Sequence, residues 1–131
     1  MSNKVKILAI DDEIKALDLF KFSLEAYGFE VLAASDGQAG IEQAISVKPD
    51  LIILDIRMPK LDGWDVCRIL KQNPLTNRIP IVFLTAYSSV RDKERAKELG
   101  VHAYLTKPVN PDNIIMLIES IVASTTSSAP D

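Results

Sequence analysis

Leu51-Ile52-Ile53-Leu54 is an unbroken apolar run that ends on a carboxylate, Asp55. A strand with one wet face alternates apolar and polar side chains. An unbroken run suits a strand covered on both faces, as in a parallel sheet between two layers of helices. Ile7-Leu8-Ala9-Ile10 repeats the pattern and ends on Asp11-Asp12, and Ile81-Val82-Phe83-Leu84 ends on Thr85. A charge has no place in the middle of such a strand. At its C-terminal end it lies where open parallel sheets bind their ligands.

The rest of the chain fits this frame. Residues 5–10, 29–34, 50–55, 80–85 and 101–106 read as strands, and residues 14–27, 38–47, 64–72, 89–99 and about 111–122 as helices. Leu17, Phe20, Leu24 and Tyr27 recur at helical spacing before a Gly28 stop. Val66, Ile69 and Leu70 mark the inner face of the third helix. Asn110-Pro111 reads as an N-cap followed by proline at the first helical position. Strand and helix alternate five times. That predicts one α/β domain over residues 4–122, a doubly wound five-stranded parallel sheet with helices on both faces. Residues 123–131, rich in Ser, Thr and Ala, read as a disordered tail or a linker stub.

Composition removes several function classes. The net charge of −3 provides no basic face for direct nucleic acid binding. The stretch from Arg91 to Lys97 also holds Asp92 and Glu94 and reads as a solvated helix face. A single cysteine, Cys67, excludes an internal disulfide and a cysteine zinc site, and its helical context suits a small buried hydrophobe. His102 has no second histidine with which to share a metal, and a structural role is favoured. No signal-peptide core and no apolar run of membrane-spanning length is present, so the expectation is a cytoplasmic protein with no membrane association.

Four strand ends carry the chemistry: Asp11-Asp12, Asp55, Thr85 and Lys107. In a parallel sheet all four point to one edge. Each has an ordinary explanation alone, since an Asp pair caps helices, threonine suits strands and lysine before proline is usually a surface residue. Together they place three carboxylates, a hydroxyl and an ammonium in one cluster. Crowded carboxylates are relieved by a hard dication. Mg²⁺ fits best, because it accepts a few carboxylates and keeps water and phosphate oxygens. One aspartate can then attack phosphorus, while Lys107 and Thr85 stabilise the arriving phosphoryl group.

These residues, together with Leu54-Asp55-Ile56-Arg57-Met58-Pro59, Asp62-Gly63, Leu84-Thr85-Ala86 and Lys107-Pro108, closely resemble the receiver domain of two-component response regulators, over nearly all of residues 4–122. The resemblance implies a flavodoxin-like strand order, 2-1-3-4-5. It implies that Asp55 is the phosphoacceptor, and that Asp12 binds Mg²⁺ directly with Asp11 helping directly or through water. The Arg57 backbone carbonyl would be a further ligand. Lys107 would pair with Asp55 and then with the phosphoryl oxygens, across a cis peptide to Pro108. Thr85 and Tyr104 would be switch residues, the alternative for Tyr104 being an amphipathic side chain on an edge strand. Arg57 and Tyr87 would flank the phosphoryl site and modulate its lifetime.

The implied activity is that of a signalling phosphoacceptor in a phosphorelay, not of an enzyme turning over an external substrate. Its donor would be a histidine kinase or a histidine phosphotransfer protein, and its output partner or output domain is not named by these residues. The chain reads as a stand-alone receiver or as one excised from a longer regulator. Ile114, Ile115, Leu117, Ile118, Ile121 and Val122 leave the last helix apolar on more than one side, which suits either a homodimer or ordinary core packing. A phosphohydrolase of the haloacid-dehalogenase type would want a second aspartate where Arg57 stands. A flavin or nucleotide module would want a glycine-rich cradle, and no G-x-G-x-x-G occurs. A degenerate receiver would lack part of the acidic, threonine and lysine set.

Overall fold

The computed structural model describes residues 4–87 and 89–127. Its strands are β1 (Lys6–Ile10), β2 (Glu30–Ala34), β3 (Leu51–Leu54), β4 (Ile81–Thr85) and β5 (Ala103–Thr106). Its helices are α1 (Ile14–Tyr27), α2 (Gly37–Val47), α3 (Gly63–Gln72), α4 (Val90–Glu98) and α5 (Pro111–Ser127). All four strand pairings are parallel, and the order is β2-β1-β3-β4-β5. The fold class and strand order are therefore those expected from the sequence.

The unbroken apolar runs divide their side chains between two cores. Leu8, Ile10, Ile52, Leu54, Ile81 and Phe83 face a cluster that includes Ile41 and Ala44 of α2, Val66, Cys67 and Leu70 of α3, and Ala96 of α4. Ile7, Ala9, Leu51, Ile53, Val82 and Leu84 face Leu17, Phe20 and Leu24 of α1 and Ile114, Ile115, Ile118 and Ile121 of α5. This is the period-2 alternation of a strand, with both faces apolar because both are covered.

Several details depart from the sequence reading. Ile69 is on the exposed side of α3, and Cys67 takes the inner position beside Val66 and Leu70. Positions 67 and 69 both lie at a helical step from Leu70 or Val66, so spacing alone did not separate them. Burial pushes the Cys67 thiol pKa up, as suits a small hydrophobe in the core. Tyr27 is about half exposed, and its hydroxyl donates to Glu119 of α5 at 2.9 Å. Helix α5 runs to Ser127, five residues past its expected end, and residues 128–131 lie outside the described residues. Of the six apolar residues of α5 considered for a homodimer, four are buried. Leu117 and Val122 pack against the same core, so ordinary core packing accounts for the set. No helix among the described residues is long and apolar enough to cross a membrane.

Candidate functional site

The site is assembled by backbone hydrogen bonds just past the strand ends. The amide of Asp11 donates to the carbonyl of Ala34, the last residue of β2, at 3.1 Å. That of Asp55 donates to Ile10, the last of β1, at 3.0 Å, and that of Lys107 to Thr85, the last of β4, at 2.7 Å. Each functional residue is thus the first one beyond its strand, anchored to the end of the neighbouring strand. The backbone that carries each side chain is thereby fixed to the sheet. Asp11 and Asp55 also flank the β1–β3 boundary, where the strand order reverses.

Asp11, Asp12 and Asp55 each bring a carboxylate oxygen within 4.8 Å of the others. Asp11 and Asp55 are buried and Asp12 is exposed, so the cluster opens to solvent on the Asp12 side. Asp11 is fully engaged. Its Oδ1 accepts the Glu13 amide at 3.0 Å and its Oδ2 the Lys107 ammonium at 2.7 Å. Glu13 occupies the N-cap position of α1 without a side-chain bond, and the helix-capping reading of the Asp pair reduces to the Asp11 carboxylate accepting the Glu13 amide. Lys107 lies 3.9 Å from Asp55 Oδ2, so its nearest carboxylate is Asp11 and not Asp55.

The electrostatics follow from this crowding. Burial pushes the Asp55 carboxyl pKa up to about 6, with the Asp11 charge adding to it, while Lys107, the Thr85 hydroxyl and the Ile56 amide pull the other way. Burial works against the Lys107 ammonium. The Asp11 hydrogen bond and the Asp11 and Asp55 charges outweigh that and hold its pKa above the usual lysine value. One ammonium faces three carboxylates, and every donor in the set is a hard oxygen. The residues fit a hard divalent cation of the Mg²⁺ type.

Thr85 ends β4 fully buried, and its hydroxyl accepts the Tyr87 amide at 3.4 Å. Tyr104 is half-buried on β5. Its hydroxyl donates to the Tyr87 carbonyl at 2.6 Å and its ring lies edge-on to Phe83, with centroids 6.1 Å apart. The Lys107–Pro108 peptide is cis. Arg57 lies over the Tyr87 ring, 4.1 Å from its centre, so the two flanking residues stack on each other. Thirty positions separate them, and no sequence signal announces the contact. Trp64, on the first turn of α3, is edge-on to Phe83 at 5.1 Å and is covered from outside by Arg95 of α4 at 4.3 Å. The sequence reading placed Arg95 on a solvated helix face, and its guanidinium instead lies on the Trp64 ring.

With five parallel strands, an acidic cluster at the β1–β3 switch, a threonine and a lysine, the chain belongs to the response regulator receiver domain family, whose profile matches residues 7–119. It is 41% identical over 125 residues to the alkaline phosphatase synthesis transcriptional regulatory protein PhoP of Bacillus subtilis, covering 95% of this chain and 51% of that protein. It is 37% identical over 120 residues to the DNA-binding dual master transcriptional regulator RpaA of Synechocystis sp., covering 92% and 50%. Among solved structures, a CheY-like response regulator receiver domain protein from Methanospirillum hungatei superimposes with a TM-score of 0.91 at 25% identity, covering 97% of this chain and all of that one. The chain spans about half the length of these curated relatives. It is a signalling receiver domain of the two-component type, a family that works with histidine kinases and output domains.

Proposed function

We propose that this receiver takes a phosphoryl group onto Asp55 from the phosphohistidine of a histidine kinase or phosphotransfer protein, in a Mg²⁺-dependent reaction, and thereby switches a partner-binding surface of α4, β5 and α5. The supporting observation is the convergence of Asp11, Asp12 and Asp55 within 4.8 Å, with the Lys107 ammonium against Asp11 and Asp55.

An Asp55 oxygen attacks phosphorus, the P–N bond to the donor imidazole breaks, and its electron pair returns to that ring. Asp11, Asp12, Asp55 and the Arg57 backbone carbonyl would hold Mg²⁺, which when bound supplies positive charge to the phosphoryl oxygens. Lys107 lies within reach of Asp55 and supplies a further cation to those oxygens. Thr85 stands ready to donate its hydroxyl to one of them. The Tyr87 amide rests on that hydroxyl and the Tyr104 hydroxyl on the Tyr87 carbonyl, so a shift at Thr85 is handed to the β4–α4 loop and to β5. Hydrolysis of the acyl phosphate resets the domain.

Acetyl phosphate with Mg²⁺ tests the reading. Intact mass should rise by one phosphoryl group in the unmodified protein and stay unchanged in Asp55→Asn or when Mg²⁺ is withheld. Labelling that persists in Asp55→Asn overturns the assignment.

A further inference from the structure

Helix α4 is attached to the domain in an unusual way. Among the described residues it buries Ala96 alone, whereas α3 buries Trp64, Val66, Cys67 and Leu70. The rest of α4 is dominated by charged side chains, and Val90 at its start is largely exposed. One long side chain makes up for this. Arg95, itself exposed, reaches across to α3 and lays its guanidinium over the Trp64 indole, 4.3 Å from the ring centre. Trp64 is 7% exposed. Beneath it lies Phe83, and beyond Phe83 the ring of Tyr104. Arg95 therefore closes one end of an aromatic row whose other end is bonded to the β4–α4 loop.

We infer that Arg95 is the positioning residue of α4, and that its contact with Trp64 sets how readily α4 moves when Asp55 is phosphorylated. This rests on the phosphoacceptor reading above. A phosphoryl oxygen that takes the Thr85 hydroxyl draws on the loop through the Tyr87 amide, and that loop leads into α4 at the Ser89 cap. Ala96, with Leu99 at the C-cap packed against the same core, is a small apolar attachment. The stacked guanidinium is a further side-chain contact that must break. A planar guanidinium stacks on an indole face where an ammonium does not, so lysine is not an equivalent replacement. From the usual strength of such a contact, its removal shifts the balance between docked and displaced α4 by roughly fivefold.

Trp64 is the single tryptophan of the chain and reports on its own cover. The experiment measures acrylamide quenching of Trp64 with and without acetyl phosphate and Mg²⁺, alongside intact mass, in the unmodified protein, Arg95→Ala and Arg95→Lys. In the unmodified protein, phosphorylation should raise the quenching constant. In Arg95→Ala the constant should start roughly twofold higher, because the covering stem is gone, and should change little on phosphorylation although the mass gain is intact. Arg95→Lys should fall between the two. Full mass gain with an Arg95→Ala response equal to that of the unmodified protein overturns the inference alone. Absence of mass gain in the unmodified protein overturns the phosphoacceptor reading and this inference with it.

Discussion

The Asp55 carboxylate sits where ionisation is unfavourable, and its titration shows what that position does to stability. Its pKa of about 6 in the fold lies above the ordinary 3.8, so the folded state holds the proton more tightly than the unfolded chain. The stability this brings is complete below 3.8 and is lost as pH rises through about 6. Replacing the carboxylate with a neutral isostere should recover it. In chelator at pH 7.5, Asp55→Asn should be more stable than the unmodified protein by on the order of 1–2 kcal/mol, after allowance for partial solvent screening. The two should converge below pH 3.8, and urea denaturation midpoints at both pH values check this. Equal stability at pH 7.5 would show that Lys107 already neutralises the site. Tyr87 belongs to the same scale. The Arg57 guanidinium lies over its ring, and the role proposed for that stacked ring is to screen the acyl phosphate from water. Tyr87→Ala should speed loss of the phosphoryl group several-fold in a decay assay, while Tyr87→Phe, which keeps the stacked ring, should leave the rate nearly unchanged.

At the scale of elements, the start of α3 closes against the backbone at Asp55 and Ile56. Asp62 and Asp65 form a reciprocal capping box, the Asp65 amide donating to Asp62 at 2.9 Å and the Asp62 amide to Asp65 at 3.3 Å. The Gly63 amide donates to the Ile56 carbonyl at 2.7 Å, which draws the helix start onto the end of β3. A Cβ at position 63 would collide with the Asp55 carbonyl oxygen and come within 2.7 Å of the Ile56 Cα, both backbone atoms that cannot swing away. Gly63→Ala should therefore lower stability by about 2 kcal/mol and slow phosphorylation of Asp55 together, because the same shift displaces both. Urea unfolding and the rate of mass gain read the two effects, and a variant that lost stability but phosphorylated normally would separate them. Asp62-Gly63 was legible in the sequence as part of the receiver-like pattern just before the third helix. That the glycine is required by Asp55 was not, because the clash exists only once α3 has closed on β3. The partner of Lys107 was hidden for a related reason. Strand ends place Lys107 near two carboxylates, and only side-chain geometry decides that Asp11 receives it at 2.7 Å.

For the whole molecule, the alternation of continuous apolar runs with helical segments was enough to specify a doubly wound sheet, because runs such as Ile52–Leu54 and Val82–Leu84 have no other way to bury both faces. The same runs make the centre of the sheet the most protected part of the domain. Every residue of β3 and β4 is buried, whereas β5, at the sheet edge, is half-buried throughout and α4 rests on Ala96, Leu99 at its C-cap and the Arg95–Trp64 contact. Stability should be distributed accordingly, since local opening is easiest where few apolar contacts must break. In hydrogen exchange followed by mass spectrometry, amides of Ile52–Leu54 and Val82–Leu84 should exchange slowest and those within Val90–Glu98 should be among the fastest of any helix. Arg95→Ala should accelerate exchange in α4 without changing the rates in β3. If α4 proved as protected as the central strands, a loosely held helix could not serve as the moving part. The signal from Asp55 would then have to leave through α1 or α5, whose Leu17, Phe20, Leu24, Ile114 and Ile118 are packed into the opposite core.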